Sequence, residues 1–427
     1  MLIRSLTWWL LGCAPALAQT VHTVDDDGPA AFTDIQAAVD AASSGDLIAV
    51  SPGGYSGFLV VAKGLTIVGT GGPGTSVVVG PVAVAGTGHD QATLIQNLDV
   101  YAEEPASGQT MAIDACAGVV TLEYCRLRSA VELELGIFPY YAGGGLYVRD
   151  AARVSLRNCE LVGAPGYSFL LSYPSRPGLT SQNATIAAYD CQIIGGTGVG
   201  GQCQAFVNCS QVPVESSPGL VQTGGQVLLN GGFLAGGNGG QGALQGDCGT
   251  GLPSPAGGYG GDGMPAASLE SADARLYLVD VDLHAGVGGA GACGAGSDAP
   301  TFSTAPGASV DQLSGASRAL IAFSPVVGGL PTQVAVLGQA GDLVFGLWSL
   351  QADLSLLLPF SGALTVGPGF VVDFVGVADG LGVAVVQPTL AAPQPGVPFY
   401  GLRLQPASIS TGLQLFLGGA RTVVVLP

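Results

Sequence analysis

Arg126, Arg128, Arg149, Arg153 and Arg157 crowd one stretch of the chain. A guanidinium fork grips a carboxylate through two parallel hydrogen bonds, so such a cluster can hold an anionic sugar. Two aromatic stretches lie beside it. Gly136 to Tyr147 carries Phe138, Tyr140, Tyr141 and Tyr147, and Gly166 to Pro177 carries Tyr167, Phe169 and Tyr173. An aromatic ring stacks on the apolar face of a sugar while the hydroxyls stay wet. Tyr140, Tyr141, Tyr167, Phe169, Tyr173, Arg126 and Arg157 are therefore the candidate carbohydrate-binding residues. A plainer account competes: the aromatics cover their own loops, and the arginines pair with acids on neighbouring strands. Glu123 aligns with Arg157, and Arg126 with Glu160. Such cross-strand pairs contribute ~0.2–1 kcal/mol each, and for the arginines the plainer account is the expectation.

Other chemistry is sparse. Asp25-Asp26-Asp27 precede Gly28-Pro29 and read as a turn cap. His22, His89 and His284 have no metal-ligand spacing. Gly257 to Pro265 fits a calcium-binding nonapeptide, but its relatives at Gly236 and Gly288 lack the aspartate. The segment reads as a flexible glycine loop, with no metal or cofactor expected. A Gly-x-Ser-x-Gly elbow and a phosphate loop are both absent from the sequence.

The elements that must carry these residues follow from composition and repeats. The chain has 427 residues, 70 glycines and 27 prolines, too many breakers for a helical protein. Its net charge of −18, from 30 acids against 12 bases, disfavours nucleic acid and anionic lipid. Met1 to Ala18 reads as an export signal, with Arg4, an apolar run Leu6 to Leu11, and Ala16-Leu17-Ala18 before cleavage at Gln19. An alternative is Leu10-Leu11-Gly12-Cys13, which resembles a lipobox and would attach lipid at Cys13. Either way the expected location is secreted or cell surface, with no transmembrane segment and an extracellular polysaccharide or cell-surface component as partner.

Five segments share one pattern: Val120–Leu127, Val154–Leu161, Ile186–Ile193, Val227–Leu234 and Leu276–Leu283. Apolar or small residues occupy their first, third, sixth and eighth positions. That is two short strands meeting at a two-residue corner. The segments begin 34, 32, 41 and 49 residues apart, so constant units are separated by loops of varying length. Stacked units share a core that one unit cannot form alone. Val77 to Val84 and Thr93 to Val100 fit more loosely. The first and eighth positions should form inward columns, and Cys125, Cys159 and Cys191 a column of buried thiols. Cys203–Cys209 is the favoured disulfide, and Cys248–Cys293 a lesser candidate.

Ile35, Ala38, Val39 and Ala42 mark one helical face behind a capping Thr33 or Asp34, suited to covering the open end of a stack. Residues 295–317 read as a linker. From 318 to 427, short apolar strands with frequent turns suggest a small β-sandwich. The expected fold is all-β: a parallel β-helix over 19–294 with an N-terminal cap helix, then the sandwich.

The run from Phe32 to Gly69, with Val154 to Gly163 and Ile186 to Gly196, resembles pectin-lyase-like right-handed parallel β-helix proteins. Its opening is similar to pectin methylesterases and to secreted bacterial β-helix proteins. The resemblance implies the fold over about residues 21–300 and admits several chemistries. Methylesterases carry Gly-x-Val-Asp-Phe-Ile-Phe-Gly and Tyr-Gln-Asp segments, and neither occurs in this sequence. The expectation is a non-catalytic polysaccharide- or surface-binding protein. A lyase or carbohydrate esterase with another site is the alternative.

Overall fold

The computed structural model describes residues 19–102, 109–129, 144–168, 172–198, 202–204, 207–210, 215–242, 259–291, 294–322, 324, 326–356, 362–393 and 399–426. The export segment and Cys13 lie outside them.

Parallel strands stack in three ladders, as in a β-helix. The first runs from Val21–Val24 through Leu47–Val50, Thr66–Gly69, Thr93–Gln96, Val119–Glu123 and Arg153–Arg157. It continues through the second halves of Leu179–Tyr189 and Leu220–Asn230 to Arg275–Val279 and Ser309–Gln312. The second runs from Gly53–Ser56 through Ser76–Val79, Leu98–Ala102, Arg126–Ser129, Glu160–Val162, Gln192–Ile194 and Phe233–Ala235 to Asp282–His284. The third runs from Leu59–Val61 through Val82–Ala85, Gln109–Asp114, Gly144–Arg149 and the first halves of the two long strands to Ala267–Leu269 and Phe302–Thr304.

The repeat pattern produces this register directly. Val120, Val154, Ile186, Val227 and Leu276 are successive partners, and so are Leu127, Leu161, Ile193, Leu234 and Leu283. All are buried except Leu283, which is half-buried on the last rung of its ladder. Each such side chain contributes ~1.5–3 kcal/mol when fully buried. In five coils the corner between first and second ladders is made by one left-handed residue, Asn97, Tyr124, Asn158, Asp190 or Asp280, and in the coil after Asn230 by two, Gly231 and Gly232. Asn and Asp tolerate that conformation, and Tyr124 is the costly member. Cys125, Cys159 and Cys191 stand just inside this corner as buried free thiols, as expected.

Two expectations change. Val77 to Val84 is not a loose copy of Thr93 to Val100. Its residues belong to the second and third ladders, because Thr66–Gly69 has already supplied that coil's first strand. The stretch 295–317 is not merely connecting chain, since Phe302–Thr304 and Ser309–Gln312 continue the third and first ladders. Cys203 and Cys209 lie on facing antiparallel strands, Gln202–Gln204 and Val207–Ser210, but their side chains fall outside the described set. Cys248 and Cys293 lie outside it altogether, and no disulfide is present among the described residues.

The helix Ile35–Ala41 begins at Asp34, whose Oδ1 accepts from Ala37 N at 3.1 Å. It buries Ile35, Ala38 and Val39 in the coil core beside the first strands. No described helix is long and apolar enough to cross a membrane.

From Ala319 the strands become mostly antiparallel. Ala319–Ala322, Val334–Leu337 and Val383–Val386 form one sheet. Val326–Val327, Arg421–Leu426, Tyr400–Ile409, Leu343–Ser349 and Val371–Val377 form a larger one, with Leu415–Leu417 beside Tyr400–Ile409. Leu320, Val334 and Val336 of the first pack with Val344, Trp348, Leu404 and Val423 of the second.

Candidate functional site

The outer face of the first ladder is covered. Ala187, Tyr189, Leu228 and Val279 pack against Leu354 and Ala363, and Leu47 and Val68 against Phe399 and Val424. The Tyr189 hydroxyl donates to Ala363 O at 3.1 Å and accepts from Ala363 N at 2.8 Å, and burial raises its pKa. Arg403 reaches into the centre of this seam. Its Nε donates to Thr365 O at 2.7 Å, and its Nη atoms donate to Thr121, Thr422 and Ser155 hydroxyls at 3.2 Å. Glu123 lies 3.8 Å from Arg403 and accepts from Thr422 N at 2.9 Å. Desolvation lowers the Arg403 pKa, with Glu123 opposing that shift.

Arg157 belongs to this seam. It is Glu123's register partner, as expected, but the pair is not an exposed ladder pair. Arg157 donates to Leu320 O and, at 3.4 Å, to the Tyr124 hydroxyl. The Tyr124 ring centre lies 5.7 Å from the Arg157 guanidinium and 4.8 Å from that of Arg421. A chain segment hundreds of residues downstream has taken a surface column into the interior, which removes Arg157 from any open ligand groove.

Arg126 stands on the open second ladder, in register with Asp99 and Glu160. Its guanidinium is 3.6 Å from Asp99 and 3.7 Å from Glu160, while Arg128 reaches Glu160 at 2.5 Å. Asp99 is buried with one carboxylate oxygen unpartnered. Desolvation raises its pKa despite Arg126 and Arg128.

The long insertions leave the coil at one corner, between second and third ladders. Residues 130–143, 163–178, 195–219, 236–266 and 285–301 all connect a second-ladder strand to the next third-ladder strand. The two aromatic stretches therefore share an edge. Tyr167 and Tyr173 are register partners in a short antiparallel pair, though their side chains are outside the described set. Phe138, Tyr140, Tyr141 and Phe169 are outside it altogether. At the foot of these stretches is a shallow pocket of about 180 Å³ lined by Gln109, Gly144, Leu146, Tyr147, Arg176, Pro177 and Thr180. The Tyr147 hydroxyl donates to Gln182 Oε1 at 2.9 Å, which fixes the phenol at the rim. Arg176 is exposed. Sequence reasoning did not select it, although it ends an aromatic stretch.

Further along the corner, the described parts of the glycine-rich insertions are bonded to one another. Segments near 196, 237, 240, 261, 264, 286, 289 and 296 exchange backbone hydrogen bonds, including Gly261 N to Gly240 O at 3.0 Å and Gly289 N to Gly261 O at 2.8 Å. Cβ atoms would not fit: one on Gly239 would sit 1.7 Å from Gly261 O, and one on Gly260 1.8 Å from Gly289 O. Asn238, Gln241 and Asp262 face outward, and each accepts from a backbone N–H of a neighbouring segment. Over 259–265 this corrects the flexible-loop expectation, while Gly257 and Gly258 lie outside the described residues. Glycine serves close approach here, and the Asp262 carboxylate already caps Ser297 N at 2.6 Å. Asp25, Asp26 and Asp27 are a cluster of acidic oxygens within 4.8 Å of one another, with Asp26 accepting from Gly54 N at 2.9 Å.

No protein-family profile matches the chain, and neither does any curated protein. Among solved structures, a superoxide reductase (neelaredoxin) from Ignicoccus hospitalis aligns with 26% of this chain and 80% of its own, at 12% identity and a TM-score of 0.17. That likeness is too slight to bear on fold or function.

Proposed function

We propose that the chain is an exported, pectin-lyase-like right-handed β-helix, capped by the helix Ile35–Ala41 and followed by a β-sandwich, which binds polysaccharide without cleaving it. The carrying observation is the pocket at Tyr147 and Arg176, at the corner where the connections that carry both aromatic stretches depart, whereas the first ladder is covered. Tyr147 offers a ring and Arg176 a charged fork to a sugar, with Thr180 as a hydroxyl partner. The net charge of −18 favours a neutral glycan over a strongly anionic one. The absent methylesterase segments favour binding over turnover. The test is retention of the mature protein on a panel of neutral and acidic glycans, with assays for reducing ends, unsaturated products, methanol and acetate. Retention that falls in Tyr147→Ala and Arg176→Ala, with an unchanged fold and no product, is expected. Retention on no glycan, or reproducible turnover, overturns the proposal.

One observation favours the enzyme alternative. Asp99 and Glu160 both flank Arg126, and burial favours the protonated form of Asp99, as a general acid requires. Turnover abolished by Asp99→Asn would establish that reading.

A further inference from the structure

A buried guanidinium normally has a carboxylate beside it, because an unpaired charge is costly away from water. Arg318 follows that rule, 2.7 Å from Asp342, and so does Arg403, 3.8 Å from Glu123. Arg157 does not. It is 2% exposed, and among the described residues it forms no ion pair. The half-buried Arg421 forms none either.

These two cations stand together. Arg157 Nη1 donates to the Tyr124 hydroxyl at 3.4 Å, and Arg421 Nη1 donates to the same oxygen at 3.1 Å. Accepting from both, the hydroxyl keeps its own hydrogen to give, and none of the described residues takes it. Arg157 Nε and Arg421 Nε are buried and equally lack an acceptor. The carboxylates of this region are engaged or weakened. Glu123 accepts from Thr422 N and Gln96 Nε2 and faces Arg403. Burial raises the Asp190 pKa, and Arg157 opposes that shift without a hydrogen bond between them. Desolvation lowers the Arg421 pKa, and the like charge of Arg157 acts in the same direction. Arg157, Arg403 and Arg421 thus outnumber Glu123 and Asp190 here, in a chain where 30 acids outnumber 12 bases.

We propose that the seam binds one small monovalent anion, a halide, at Arg157 and Arg421 beside the Tyr124 hydroxyl. A halide is favoured over phosphate or sulfate by the donors that are left. Those larger anions are gripped by two parallel N–H bonds from one guanidinium. Both terminal nitrogens of Arg157 already donate, to Tyr124 and to Leu320 O, which leaves Nε as its unengaged nitrogen. A single N–H suits a spherical ion. Tyr124 and Arg421 are only half-buried, so the site has a solvent-facing side for the ion to enter. This inference is independent of the glycan-binding proposal.

The test is thermal unfolding of the mature full-length protein in sodium chloride and sodium bromide series, with sodium gluconate holding the ionic strength constant. A ligand that binds only the folded state raises the melting temperature with its concentration. A saturable rise with chloride and with bromide is expected. Bromide-soaked crystals should show an anomalous peak at hydrogen-bond distance from Arg157 Nε. Arg421→Gln should raise the halide concentration needed by about tenfold or more, whereas Arg149→Gln, at a surface arginine paired with Asp114, should leave it unchanged. Equal melting temperatures in chloride and gluconate overturn the proposal, and a bromide peak without halide-dependent stabilisation then marks an adventitious ion only. A water molecule at Arg157 Nε in the bromide crystals overturns it too. The wild-type salt series and the bromide peak decide the matter even where Arg421→Gln fails to fold.

Discussion

Two charge pairs three residues apart in sequence obey the same ladder rule and live under different physics. Glu123 faces Arg157 across the first ladder, and Arg126 faces Glu160 across the second. The former pair lies beneath the C-terminal strands, bound to Thr422, Leu320 and Tyr124. In the latter, the Arg126 side chain remains 44% exposed and its ion pairs are longer than hydrogen bonds. Stacked parallel strands settle which residues are neighbours. Whether water reaches them depends on what the rest of the chain lays over each face. A surface column costs little to alter, whereas a covered one leaves desolvated charge behind.

The sharpest way to break this contrast is Arg403→Ala. It takes away the cation 3.8 Å from buried Glu123 and leaves Thr365 O and the seam hydroxyls without their donor, so a loss of about 3–5 kcal/mol is expected by denaturant unfolding. A loss as small as a surface pair's would mean that the seam is wet. Arg157→Ala should cost about 2–3 kcal/mol, because Leu320 O and the Tyr124 ring lose a buried partner. Gly239→Ala should cost about 1–3 kcal/mol, since its Cβ meets a backbone oxygen that cannot easily yield. Hydrogen exchange should locate that damage in the glycine segments, with the seam intact. Arg126→Ala should cost under about 1 kcal/mol, and that cost should shrink with added salt.

Asp99 supplies a pH test on the open side. Desolvation raises its folded pKa above the ordinary carboxylate value, so the folded state holds the proton more tightly. Stability from this group is therefore present in acid, falls as pH rises from the unfolded pKa through the folded one, and is level above it. Asp99→Asn should remove that slope and leave stability at neutral pH unchanged or higher by under about 1 kcal/mol. A variant clearly less stable at neutral pH would show that the ion pair with Arg126 outweighs burial.

The coil was legible because each turn repeats its instructions locally. Val120, Leu122, Cys125 and Leu127 specify inward positions without reference to distant residues, and Val154, Leu156, Cys159 and Leu161 repeat them. The seam was not legible. Glu123 meets Thr422 across 299 residues of sequence, and nothing near Glu123 signals that meeting. The glycine segments were misread for a different reason. Their composition suggests flexibility, but Gly236-Gly-Asn-Gly-Gly-Gln241 carries a period of three that places Asn238 and Gln241 outward and glycines at the contacts. At the candidate site, the aromatic stretches pointed to the corner between the second and third ladders. Arg176 was passed over because it sits apart from the other arginines in sequence, and only the coil brings it beside Tyr147.

The glycine segments also bear on how the protein meets proteases. A protease must draw a stretch of substrate into an extended form and hydrogen-bond its backbone before cutting. Here many of those backbone groups are already bonded to adjoining segments. The sequence adds a second obstacle, because between Arg176 and Arg275 there is neither lysine nor arginine. Trypsin thus has no cleavage point in that whole interval, folded or unfolded. Within the described segments 236–242, 259–266 and 285–291, enzymes that accept small residues would find plentiful sites by sequence, but would have to wait for local opening of the hydrogen-bonded backbone. Glycine segments that look soft from composition are there built to be digested slowly.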